Sequence, residues 1–173
     1  GAIFDITKLD WLNSQHLANL TLEEFKSHLE PFLKMISIDI NNHNNVDLLI
    51  ESMRTSENTL KAIAESLIPY YTKITNYDEK AINKFLGDEG QGILIKIKDL
   101  LSNIEEWDEN EINLVLKNFQ EKNEYSIPKV NQPLRIALTG SIKSPSIGLT
   151  LEIFGKNRSL KRIDAILSYL LTK

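Results

Sequence analysis

The chain predicts an all-α fold of two consecutive helical-bundle subdomains, and three observations predict it. Apolar residues recur at i, i+3, i+4 and i+7 in one segment after another. The strict alternation of a half-buried strand is almost absent. Helix starts are spelled out as Thr21-Leu22-Glu23-Glu24 and Asp108-Glu109-Asn110-Glu111, a capping side chain followed three residues later by glutamate.

The elements follow in order. Thr21 can accept from the Glu24 amide while Glu24 reaches back, and Leu22, Phe25, Leu29, Phe32 and Leu33 form the stripe of a helix running to about Met35. Pro31 lies inside that pattern and is expected to kink or break it. Asn41 to Asn45 is a polar loop, and Val46, Leu49, Ile50 and Met53 make a second stripe ending near Arg54. A third helix is expected from about Ser56-Glu57, carrying Leu60, Ile63, Ala64 and Leu67 toward Pro69. Periodicity lapses between Tyr70 and Tyr77, which places a subdomain boundary there and divides the chain into residues 1–72 and 73–173. From Asp78 the pattern resumes with Ala81, Ile82, Phe85 and Leu86, breaks at Gly87, and is expected to restart at Gly92 and run to Ile104. The capping box at Asp108 leads Ile112, Val115, Leu116 and Phe119, with Lys117 off the stripe, and Ser126-Ile127-Pro128 ends this region.

Pro133 suits a first helical turn and Gly140 the left-handed position past a helix end, so the two frame a short helix that bears Arg135. Ser144-Pro145-Ser146 reads as a tight turn whose last serine caps the next helix, worth about 1 kcal/mol, and Gly155 can close it. Leu160, Ile163, Ile166, Leu167 and Leu170 make the final amphipathic helix, whose opposite edge is expected to carry Lys161 and Arg162.

A chain of 173 residues, 42% hydrophobic, can bury a real core. The absence of cysteine excludes disulfides and thiolate chemistry and fits a reducing cytoplasm. No apolar run approaches the roughly 20 residues that span a bilayer, so no membrane partner is expected. A net charge of −4 argues against nucleic acid until it is divided: residues 1–128 hold 12 Lys and Arg against 22 Asp and Glu, and residues 129–173 hold 8 against 2. Such asymmetry suits a chain whose one end touches phosphate, and it also suits a basic last helix complementing its own dipole.

Few groupings could carry chemistry. His43 and Asp47 are four residues apart but have no further histidine or cysteine nearby, and the calcium-loop likeness from Asp39 fails because Asn44 and Ile50 replace the required glycine and glutamate. Gly87 to Gly92 reads as a helix connection, since Asp88 and Glu89 would repel phosphate. Glu105, Glu106, Asp108, Glu109 and Glu111 suit a helix start.

Gln132-Pro133-Leu134-Arg135, Ala137-Leu138-Thr139-Gly140, Ser144-Pro145 and Gly155-Lys156, taken in order and spacing, resemble the C-terminal end of bacterial glutamyl-tRNA synthetases. Gly1-Ala2-Ile3-Phe4-Asp5, Lys8-Leu9 and Trp11-Leu12-Asn13 resemble the segment after the catalytic region of those enzymes, and Thr59-Leu60-Lys61 and Glu106-Trp107 anchor the middle. The resemblance implies an anticodon-binding region in residues 73–173 and a tRNA partner, with glutamate tRNA the first choice and glutamine tRNA left open. It further implies a monomeric cytoplasmic enzyme whose ATP and magnesium are held in a catalytic domain. The His-X-Gly-His motif and Lys-Met-Ser-Lys-Ser loop of that domain do not occur in these residues. These residues are therefore expected to hold no cofactor and to position tRNA without charging it.

Residue roles are likewise implied by resemblance. Gln132, Arg135, Ser144, Pro145, Ser146 and Ile147 correspond to the surface on which anticodon bases lie, with Ile147 as an apolar face and the serines as hydroxyls. Arg135 also has the fork that engages a base edge, worth about 1–3 kcal/mol when bidentate. Lys117 stands where the family can show arginine, which keeps phosphate binding and loses planar stacking. Ser56 aligns with an arginine that, in some members, separates glutamate from glutamine tRNA, and Arg54 substitutes only if the turn presents it equivalently. Trp11 and Trp107 read as core residues more readily than as stacking platforms. The rival reading is a helical protein-protein interaction module.

Overall fold

The computed structural model describes residue 13 and residues 15–40, 45–54 and 57–173, and among these residues there are helices and no strand. The chain divides into two compact units, residues 1–72 and 73–173.

In the first unit, a helical stretch at residues 15–19 precedes α1 (Leu22–Met35), α2 (Val46–Met53) and α3 (Leu60–Tyr71). The Thr21 capping box forms in full, with the Glu24 amide donating to the Thr21 hydroxyl and the Thr21 amide donating to Glu24 Oε2 at 2.8 Å. α1 packs on α2 and α3, and Phe25, Leu29, Leu33, Leu49, Ile50, Met53, Ile63 and Leu67 are buried in its core. α1 runs unbroken through Pro31. Pro31 and Ser27 are exposed, so the Ser27 carbonyl that loses its partner faces water, while buried Leu29 and Leu33 hold the helix on both sides. α3 starts later than Ser56-Glu57, because Thr59 is the N-cap and accepts from the Ala62 amide, and it continues past Pro69 to bury Tyr70. His43, Ser56 and Trp11 lie outside the described residues.

The second unit contains α4 (Glu79–Phe85), α5 (Asp88–Ser102), α6 (Glu109–Lys122), α7 (Ile127–Thr139), α8 (Ile147–Phe154) and α9 (Lys156–Leu171). α7 is central: it packs against α4, α5, α6, α8 and α9, and Val130, Leu134, Ile136, Ala137 and Leu138 on it are fully buried. The valine, leucine and isoleucine side chains each contribute about 1.5–3 kcal/mol on burial, which fixes α7 firmly enough to aim what projects from it.

Three sequence expectations are corrected here. α5 begins at Asp88, so Gly90 and Gly92 are helical and do not form a connection. Asp88 and Glu89 favour the N-terminal end of the dipole, and Gly90 is needed because a Cβ there would overlap the Phe85 carbonyl. α7 begins at Ile127 with Ser126 at its N-cap position and Pro128 in its first turn, and Pro133 lies inside it. The apolar spacing of Val130, Leu134, Ala137 and Leu138 carries the helix through Pro133. Arg162 is buried instead of lying on an exposed edge; its guanidinium donates to the Leu138 carbonyl and lies 4.5 Å from the centre of the Phe154 ring.

Candidate nucleic-acid interface

The α7–loop–α8 joint is set by three residues whose roles were readable from sequence. Gly140 ends α7 at φ 80°, its amide donating to Ile136 O at 2.9 Å. A side chain there would be strained by that φ and would also approach Asn76 O and Ile74 Cγ2 at 3.1 Å. Ser146 caps α8 by accepting from the Leu149 amide at 3.3 Å, and Gly155, at φ 73°, closes it.

Between these ends, polar contacts inside the loop determine its path. The Thr139 hydroxyl lies within reach of the carbonyls of Arg135 at 2.9 Å, Ser141 at 3.2 Å and Lys143 at 3.3 Å, and the Lys143 amide donates to Ser141 Oγ at 3.2 Å. Arg135, half-buried on α7, donates from Nε to Ser144 Oγ at 3.1 Å and from Nη2 to the Pro145 carbonyl at 3.3 Å. The Ser144 hydroxyl in turn donates to Pro145 O at 3.0 Å. The guanidinium is thus oriented by the loop it crosses.

α6 supports the joint from one side. The Trp107 indole N–H donates to Leu151 O at 3.0 Å, so this tryptophan anchors α8. The Ser146 hydroxyl donates to Glu109 Oε1 at 2.6 Å, and the Glu109 amide donates to Glu152 Oε2 at 2.7 Å. Gly148 lets the helices meet, because a Cβ on it would overlap the Asn113 side chain.

The structure brings Arg135, Ser144, Pro145 and Ser146 together in this joint. Ile147 is only 4% exposed and therefore offers no apolar face; Ile142, at 42%, is the aliphatic residue that the loop exposes, and Lys143 beside it is exposed as well. Sequence reasoning missed both, although an Ile-Lys pair inside a Ser-rich loop, with no helical stripe to join, was a usable signal. Gln132 is half-buried, and its Oε1 is enclosed with no hydrogen-bond partner among the described residues. Lys117 is exposed and 3.8 Å from Glu121, a surface pair of small energetic weight that leaves the ammonium able to move.

Arg54 belongs to the other unit and is turned inward. It pairs with Glu51 at 3.0 and 3.1 Å, points Nη2 at the carbonyls of Leu17, Ala18 and Leu20, and lies 5.3 Å from the Phe25 ring centre. Satisfying those carbonyls supports the first unit's fold and does not present a free donor fork.

Comparison with known proteins agrees with this architecture. The fold is that of glutamate tRNA ligases: a crystal structure of the Elizabethkingia meningosepticum enzyme in complex with its amino acid superposes with a TM-score of 0.82 at 22% identity, over 97% of this chain and 33% of that one. The anticodon binding domain family model matches residues 24–167, and the chain belongs to that family. Glutamate–tRNA ligases of Myxococcus xanthus and Thermus thermophilus are 35% and 32% identical to it over 97% of its length. The chain spans only 35% and 36% of those two relatives.

Proposed function

We propose that this chain is the C-terminal, tRNA-positioning part of a glutamate–tRNA ligase and that the α7–loop–α8 joint reads the anticodon. The observation that carries the reading is Arg135, a guanidinium fixed by Ser144 and Pro145 at a loop that exposes Ile142 and Lys143, in a chain of the anticodon binding domain family. Splayed anticodon bases are recognised by oriented donors, apolar contact and nearby cations, and the loop supplies one of each. Gln132, Ser144, Pro145 and Ser146 shape the joint, and Lys117 is placed for phosphate. The attachment of glutamate, with its ATP and magnesium, belongs to the remaining two thirds of the parent enzyme. Among the described residues no group of three His, Asp or Glu side chains gathers where a metal ion could be held.

The test is binding of the chain to anticodon stem-loop RNAs carrying the glutamate, the glutamine and a scrambled anticodon. The glutamate hairpin binds tightest, and Arg135→Ala lowers its affinity by about 1–3 kcal/mol while barely changing the scrambled one. Equal loss on both would reduce Arg135 to a phosphate contact. The ratio of glutamate to glutamine hairpin affinity reports what serine at position 56 does in place of arginine.

A further inference from the structure

We infer that Glu109, together with Glu152, is a positioning residue for anticodon recognition, and that Ser146 acts through this network without donating to a base; the inference rests on the anticodon-reading role proposed for the joint. Two helix starts meet here and complete one another. α8 begins at Ser146, whose oxygen accepts from the Leu149 amide, and the hydroxyl proton of Ser146 is given to Glu109 on α6 at 2.6 Å. α6 begins at Asp108, whose carboxylate accepts from Glu111, and the neighbouring orphan amide of Glu109 is taken by Glu152 on α8 at 2.7 Å.

α8 therefore caps α6 through the Glu152 carboxylate, and α6 holds the cap residue of α8 through the Glu109 carboxylate. A serine hydroxyl has a single proton, and a charge-assisted bond to carboxylate is about twice as strong as a neutral one, so a base acceptor does not win that proton from Glu109. The donor that the resemblance assigned to Ser146 is spent on orienting the loop's C-terminal end. The Trp107 bond to Leu151 and the close passage at Gly148 keep α6 and α8 from sliding, which leaves the Glu109 contact to set where residues 144–146 sit beneath Arg135.

A carboxylate beside an RNA site repels phosphate, so its presence opposes affinity and is explained by what it holds. That conflict makes the test decisive. Glu109→Ala, Glu109→Gln, Ser146→Ala and Glu152→Ala are compared with the unmodified chain on the glutamate and scrambled hairpins, each variant first checked by helical circular dichroism.

The expected result is a roughly fivefold or greater fall in the glutamate-to-scrambled affinity ratio for Glu109→Ala and Ser146→Ala, with a chain carrying both Glu109→Ala and Ser146→Ala no worse than either single variant. Glu109→Gln keeps the acceptor and stays within about twofold of the unmodified ratio. If Glu109→Ala and Glu109→Gln both tighten binding to both hairpins equally, Glu109 only repels phosphate and the inference is overturned. An unchanged ratio in Glu109→Ala also overturns it. Should Glu109→Ala fail to fold, Ser146→Ala and Glu152→Ala decide: a reduced ratio supports the inference and an unchanged one overturns it. An unmodified chain with no anticodon preference sinks the anticodon reading itself, and this inference with it.

Discussion

Arg162 shows what a single residue can hide. The sequence pairs it with Lys161 on what looks like a charged edge, yet Ser159, Arg162, Ile163 and Ile166 share one buried face of α9, and of the two cations only Lys161 is exposed. The guanidinium satisfies Leu138 O, one of the carbonyls at the end of α7 that no later turn can reach, while its flat face covers Phe154. Arg158 lies over the same ring at 5.0 Å. Removing such a group leaves a buried carbonyl unpaired and a void beside an aromatic ring. Arg162→Ala is therefore expected to destabilise the chain by about 2–4 kcal/mol in urea unfolding, with Arg162→Lys between it and the parent. Lys161→Ala should change stability by no more than about 0.5 kcal/mol. Equal effects at the two positions would mean that the Leu138 contact adds nothing.

At the scale of elements, helix ends marked by a local cap were legible, while the starts of α3, α5 and α7 were displaced. Thr21, Asp108, Ser146, Gly140 and Gly155 all act where the sequence places them, because a cap is a local contact between neighbours in the chain. Residues 88–92 and Pro133 were misread because tertiary packing overrode local preference: the Gly90 backbone fits the α4–α5 corner, and Pro133 is buried in α7. In the candidate site, the loop and Arg135 could be read from residues 132–155, but Glu109 could not. Its partner is 37 residues away, and nothing local links the two.

Two helix stops are made without the usual glycine. α1 ends with Ile38 N donating to Leu33 O and Ser37 N to Lys34 O, and α6 ends with Tyr125 N donating to Gln120 O and Glu124 N to Glu121 O. Both are Schellman endings, with Ser37 at φ 57° and Glu124 at φ 55° in the left-handed position. A side chain there costs about 1–2 kcal/mol, part of which glycine returns by loosening the unfolded chain. Ser37→Gly and Glu124→Gly are each expected to stabilise by about 0.5–1 kcal/mol in urea unfolding, additively because they lie in different units. A loss of stability in either would show that its side chain makes a contact worth more than the backbone strain.

Over the whole molecule, the charge asymmetry that suggested a phosphate-binding end is largely consumed by the fold. Of the eight cations in residues 129–173, Lys129 pairs with Glu89 at 2.6 Å, Lys156 donates to Ile104 O at 2.7 Å, Lys173 pairs with Glu79 and Arg162 is buried. Arg158 lies over Phe154 and Arg135 is held by its loop, while Lys143 and Lys161 are exposed residues. With Lys117 from α6, the proposed interface has about three cations to release counterions from single-stranded RNA, each lowering the log–log salt slope by about 0.7. Binding of the glutamate hairpin should therefore weaken with salt along a slope of about −2, where full use of the basic segment would give roughly −5 or steeper. The anticodon preference should meanwhile persist as salt rises, because oriented donors and apolar contacts discriminate and counterion release does not. Titrations at several salt concentrations measure both quantities at once. A steep slope would mean that the internal pairs at Lys129, Lys156 and Lys173 open on binding. A preference that vanished with salt would move recognition away from Arg135 and onto charge alone.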